Sequence, residues 1–148
     1  MPRKLVVPLF VSFLLLAFAS CRTDIDHVER LKPFQGSWSF VELNEKGVKP
    51  SDAERKKYSA IVVKDKFHVG KDDDVVANYY LRVDPTKTPA EVDWVITEGE
   101  HQGEILRAIF EFDGDKLKMC TAEVGKARPT EFAVKPGSTW SYYVMQKK

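Results

Sequence analysis

The chain has 148 residues, 43% of them hydrophobic, enough for one domain with a real core and too few for two. Lysine and arginine number 23 against 22 aspartates and glutamates, for a net charge of +1. That balance excludes nucleic-acid binding driven by counterion release, which needs a concentrated basic surface.

Arg3 and Lys4 precede an apolar run from Leu5 to Ala19, interrupted by Pro8 and Ser12. The run is short of the roughly 20 residues that span a bilayer, and residues 1–21 read as an export signal. The signal ends Phe18-Ala19-Ser20-Cys21. Small residues before a cysteine resemble the lipobox of bacterial lipoproteins, with Phe18 where leucine is usual. Cys21 is thus the expected lipidated N-terminus, anchoring the protein to the membrane of the cell envelope. The alternative is cleavage near Ser20 and a soluble exported protein. Cys21 and Cys120 are the only cysteines, so a lipidated Cys21 leaves no disulfide framework; a Cys21–Cys120 bridge is the competing expectation.

Residues 22–33 are polar and predict a tether, with a short helix at Ile25–Leu31 as the second reading. The foldable domain spans residues 34–148. Trp38–Leu43 is the first predicted strand, ending in the turn Asn44-Glu45-Lys46-Gly47. Ser51-Asp52-Ala53-Glu54 has capping-box spacing and predicts one brief helix from Ser51 to about Tyr58. Ala60–Lys64 and Lys66–Val69 flank a tight turn at Asp65, and Val75–Val83 follows the turn at Lys71–Asp74. Pro85 and Pro89 bracket a loop, because proline removes ladder donors. Val92–Thr97, Ile105–Phe112 and Lys116–Ala122 come next, with a hairpin at Asp113-Gly114 between the last two. Glu131–Val134 and Trp140–Gln146, split by Pro136-Gly137, complete the predicted strands.

Eight or nine short strands with one helix predict an all-β antiparallel barrel or sandwich. Period-two alternation assigns the inner face: Trp38 and Phe40, Tyr79 and Leu81, Trp94 and Ile96, Leu106, Ala108 and Phe110, then Leu117 and Met119. The polar faces still carry Val41, Ile61, Val63, Val95, Ile105, Ile109 and Tyr143, more apolar surface than a fully wetted exterior needs.

Several fragments together carry a family resemblance: Gln35-Gly36-Ser37-Trp38, Val83-Asp84-Pro85-Thr86-Lys87, Ile109–Lys118, Arg128-Pro129-Thr130-Glu131-Phe132 and Lys135-Pro136-Gly137-Ser138. Over residues 34–147 the chain resembles the lipocalin-like domain abundant in planctomycete bacteria, whose activity is not established. The resemblance implies an up-and-down barrel of about eight strands, open at one end. It implies that Trp38 of the Gly-x-Trp start seals the closed end, commonly beneath an arginine of the last strand. Here the last strand ends Lys147-Lys148, which leaves Arg128 as the expected cover. It also implies that Gly47–Tyr58 forms a lid over the mouth.

An eight-stranded barrel is just wide enough to be filled by side chains or to hold one small ligand. Phe40, Tyr79, Leu81, Trp94, Ile96, Phe110 and Met119 are the candidate lining of an apolar ligand cavity at the open end. Catalysis and metal binding find little support. His27, His68 and His101 lack ligand spacing, and no Gly-x-Ser-x-Gly, His-Glu-x-x-His or phosphate loop occurs. Glu98, Glu100, His101 and Glu104 read as a charged hairpin loop, and Cys120 as a small apolar strand residue. The expectation is an exported, lipid-anchored barrel without enzymatic activity or cofactor, monomeric, binding a small apolar molecule. The alternative is an envelope interaction module with a filled barrel.

Overall fold

The computed structural model describes residues 26–148, so Cys21 and the export signal lie outside the described residues. The fold is a closed barrel of eight antiparallel strands in sequence order: β1 (Gly36–Glu45), β2 (Tyr58–Val63), β3 (Lys66–Lys71), β4 (Asp74–Asp84), β5 (Ala90–Ile96), β6 (Ile105–Asp113), β7 (Lys116–Ala122) and β8 (Trp140–Lys147). The sheet closes through β1 and β8, from Trp38 opposite Lys147 to Glu45 opposite Ser141. Closure removes every sheet edge, so no strand is left as a template for aggregation. One bulge interrupts this seam: the register shifts between Phe40 and Glu42 and turns Val41 outward.

Residues 26–31 are helical (α1), and the 3-10 turn Lys32–Phe34 joins them to β1. The segment read as a tether is therefore folded from residue 26. Leu31 and Phe34 supply the reason, because both are buried in the barrel core. The second helix, α2, is shorter than the capping-box spacing suggests and spans only Asp52–Arg55. Ser51 does cap it, accepting from the Glu54 amide at 3.2 Å. The Glu54 carboxylate, however, turns to Lys57 and Lys71 at 3.0 and 2.6 Å. β2 begins at Tyr58 and ends the helical path.

The predicted strand Glu131–Val134 does not form. Residues 123–139 are a long irregular connection between β7 and β8. This strap lies along the outside of the barrel. On its outward row, Ile109, Cys120 and Asn44 are buried although their strand neighbours point into the core. Only a segment lying over that row removes it from water, and Pro129 of the strap is itself fully buried. At its far end the strap passes so near β1's turn that a Cβ on Gly47 would stand 2.7 Å from the Pro136 Cα. Two of the apolar residues read as outward are thereby reassigned. Ile109 is covered by the strap, and Tyr143 faces inward, opposite Met119 and Leu43.

Candidate functional site

The inside of the barrel divides into a floor and, at the opposite end, a cup walled by aromatic rings. At the floor, Phe34 stacks edge-on against Phe110 and Phe112 at 5.0 Å each, and Trp38 lies 6.4 Å from Phe112. The Trp38 indole donates to the Phe34 carbonyl at 2.8 Å, joining strand to 3-10 turn. Gln35 ties the same turn to the β2–β3 hairpin, donating to the Lys64 carbonyl at 2.7 Å and accepting from the Lys64 amide at 2.8 Å. Both bonds satisfy backbone groups at an end where no ladder partner remains. The floor is dry: Phe34, Trp38, Leu117 and Met145 are essentially without exposure.

The cation over Trp38 is Lys147, whose ammonium stands 5.5 Å from the ring centroid. Arg128, the expected cover, lies elsewhere. Its guanidinium donates to the Val92 and Ala108 carbonyls at 3.1 and 2.7 Å and to Asp93 at 2.7 Å, and it pairs with Glu91 at 3.4 Å. Glu91 and Asp93 are outward residues of β5, so Arg128 clamps the strap to the outer wall. A lysine of the last strand thus does what the resemblance implied for an arginine. Register decides the matter, because Lys147 is the residue paired with Trp38.

The opposite end is built from aromatic rings. Phe67 and Trp94 pack at 4.8 Å and Tyr79 against Trp94 at 5.1 Å. Tyr143 stands 6.2 Å from both Trp94 and Phe40, and Tyr58 6.3 Å from Phe40. At this end, the cup, Tyr58, Val69, Tyr79, Leu106 and Tyr143 are partly buried against the core, as Phe112 is at the floor, while Phe67, Trp94 and Phe40 are buried. Of the candidate cavity residues, Tyr79 and Ile96 reach the rim, where they border a cleft of about 210 Å³ with Asn78, Glu98 and His101. Phe40, Leu81, Trp94 and Met119 lie deeper, buried among one another, and Phe110 belongs to the floor.

Two polar atoms inside this apolar lining stand out. Trp94 Nε1 is buried without a hydrogen-bond partner among the described residues, and Thr121 Oγ1 is buried with only the Tyr143 hydroxyl beside it. A desolvated donor without a partner costs about 1–3 kcal/mol, so the position of Trp94 Nε1 marks where a ligand's polar group gains most. Burial also holds the Tyr143 hydroxyl well above the usual tyrosine range and keeps it protonated as a donor. No residue type or spacing announces these buried polar atoms, which arise only when the walls close.

The rim carries a polar relay. His68 Nδ1 bonds the Asn78 side-chain oxygen, and the Asn78 amide donates to Glu98. His101 pairs with Glu104 at 3.0 Å, which raises its imidazole above the usual histidine range. Among the described residues no three His, Cys, Asp or Glu side chains gather as a metal site. No helix among them is long and apolar enough to cross a membrane. A groove of about 510 Å³ lies outside the barrel between α1 and the β2–β3 turn, bordered by Val28, Leu31, Lys32, Lys64 and Asp65.

Cys120 is a free thiol beneath the strap, and burial pushes its pKa up to about 11. Since the thiolate is the reactive form, the native protein is expected to resist alkylation by iodoacetamide at neutral pH and to react fully once unfolded. Mass spectrometry of the alkylated protein reads both states, and rapid native labelling at Cys120 would refute the covered geometry. No family profile, curated protein or solved structure matches this chain.

Proposed function

We propose that the protein is an exported, lipid-anchored, lipocalin-like carrier or sensor that binds a small uncharged molecule in the cup, without catalysis. The observation that carries this reading is the buried, unpartnered Trp94 Nε1 set among Phe67, Tyr79 and Tyr143. Ring faces favour a flat apolar body, and an indole N–H donor selects an acceptor on it. The rings packed on Trp94, those of Phe67, Tyr79 and Tyr143, carry no charge, so a carboxylate placed beside them would enter at a large desolvation cost. The ligand class is therefore a ring-bearing molecule with a carbonyl, sulfonyl or ether acceptor.

Dansylamide, which is uncharged, fluorescent and carries sulfonyl acceptors, is the test probe. Saturable binding with blue-shifted emission is expected, and Trp94→Phe should weaken it by up to about tenfold, the worth of one hydrogen bond. Absence of saturable binding would overturn the reading, as would equal affinity in the variant. Native mass spectrometry of protein purified from its own envelope then identifies the natural ligand by mass.

A further inference from the structure

The strap covers one side of the barrel and leaves the other bare. On the bare side the outward positions of β2 are Ser59, Ile61 and Val63, and those of β3 are Lys66, His68 and Gly70. Ile61 is 47% and Val63 54% exposed, and Tyr80 of β4 is 42% exposed. Val63, Lys66 and Tyr80 stand side by side in register, with the Lys66 ammonium 6.0 Å from the Tyr80 ring. Exposed Lys64 follows β2, and exposed Arg82 is the next outward residue of β4 after Tyr80. No acid occupies an outward position of β2 or β3; on β4 Asp84 follows Arg82 in the outward row, and Asp93 of β5, opposite Arg82, is held by Arg128. The surface continues past Lys64 and Asp65 onto α1, where Val28 is 61% exposed and Lys32 pairs with Glu29 at 2.7 Å.

We propose that this face of β2–β4, with α1, lies against a bilayer surface bearing anionic headgroups. The proposal rests on the lipid-anchored reading of Cys21 for its orientation. Between Cys21 and Asp26, the first described residue of α1, there are only residues 22–25, which span at most about 14 Å. A lipid on Cys21 therefore holds α1 within reach of the headgroups, and the apolar–basic face adjoins α1. The lysines and arginine come within about a Debye length, ~8 Å, of the surface charge and are attracted to it. Ile61, Val63 and Tyr80 then enter the interfacial region, where apolar side chains and tyrosine are both favoured. A second copy of the chain fits this face less well, since two such faces would bring Lys64, Lys66 and Arg82 against their counterparts. In this pose the floor side of the barrel is nearest the membrane and the cup faces away from it.

The test uses the exported, processed chain carrying Cys21→Ser, so that no lipid contributes. It should co-float with phosphatidylcholine vesicles containing phosphatidylglycerol, release as salt is raised, and not float with phosphatidylcholine alone. Ile61→Glu with Val63→Glu should weaken binding at least tenfold, as should Lys64→Glu with Lys66→Glu. Lys126→Glu with Lys135→Glu on the strap, an equal change of charge, should leave it unchanged. Equal binding to both vesicle types, or equal loss from the strap pair, would overturn the proposal. So would a dimer in light scattering that Ile61→Glu dissolves, which would assign the face to a second copy. Anchoring is read separately, by labelling the wild-type chain with a palmitate analogue and comparing Cys21→Ser. Loss of anchoring with vesicle binding intact leaves the face standing, and the reverse leaves the anchor standing.

Discussion

Trp38→Ala is expected to lower the folding free energy by about 3–5 kcal/mol, the range for removing a large buried aromatic. Trp38 is 1% exposed, and the substitution removes three supports together. It empties the space beside Phe112, deletes the bond to the Phe34 carbonyl and strips Lys147 of its ring. The Phe34 carbonyl is then left at a buried site without its donor, which places the loss toward the upper end of that range unless water reaches it. Urea denaturation of the wild type and variant, fitted for midpoint and slope, measures the loss. Trp38→Phe separates the contributions, since it keeps much of the volume and loses the N–H. A Trp38→Ala midpoint unchanged from wild type would mean that Trp38 does not seal the floor. Dansylamide binding in the surviving folded fraction should be unaffected, because the cup's rings, Phe67, Tyr79 and Trp94, stack on one another rather than on Trp38.

The second large effect is expected at Arg128. Replacing it with methionine keeps much of the stem and removes the guanidinium, which makes four polar contacts across β5 and β6. Hydrogen bonds to charged groups contribute about 1.5–3 kcal/mol in buried settings, and partial solvent access at this clamp reduces each. A net loss of about 2–3 kcal/mol is the expected outcome. The more specific consequence is local. With the strap released, water and reagent reach the outward row beneath it, and Cys120 should alkylate at least tenfold faster than in the wild type under native conditions. Global destabilisation alone would expose Cys120 only as fast as the whole barrel opens. Labelling that exceeds the unfolding rate therefore identifies strap opening. Wild-type labelling rates in Arg128→Met would show that Arg128 does not hold the strap.

Both predictions turn on residues whose types were legible in the sequence and whose neighbours were not. Trp38 reads as the floor from the Gly-x-Trp start, and the floor is where it sits. Its covering cation was misplaced onto Arg128 because the choice between Arg128 and Lys147 depends on the β1–β8 register. That register joins the two ends of the chain. Arg128 itself lies in a segment without alternation, and its partners Glu91 and Asp93 become acceptors only because β5 turns them outward beneath the strap. Among the cup residues, alternation placed Tyr79, Leu81, Trp94 and Ile96 on the inner wall, and it placed Phe110 there too. It could not say that Phe110 lies at the floor while Tyr79 lies at the rim. That difference is height along the barrel axis, fixed by the stagger of paired strands rather than by period.

The sequence by itself determined the eight strands that form and, Tyr143 excepted, which way their side chains point, because successive residues of a strand face opposite sides and β-branched and aromatic residues recur every second position. It determined the hairpin at Asp113-Gly114, where Gly114 takes φ +61°, and the cap at Ser51, because both depend on a few adjacent residues. Tertiary structure alone decided the closure of β1 on β8 and the path of the strap. It also decided the folding of α1 onto the floor and the burial of Trp94 Nε1 without a partner. Each of these joins residues distant along the chain, and their free energies come from surfaces that exist only once the barrel has closed. A local pattern carries the direction of a side chain; only the folded whole carries what it meets.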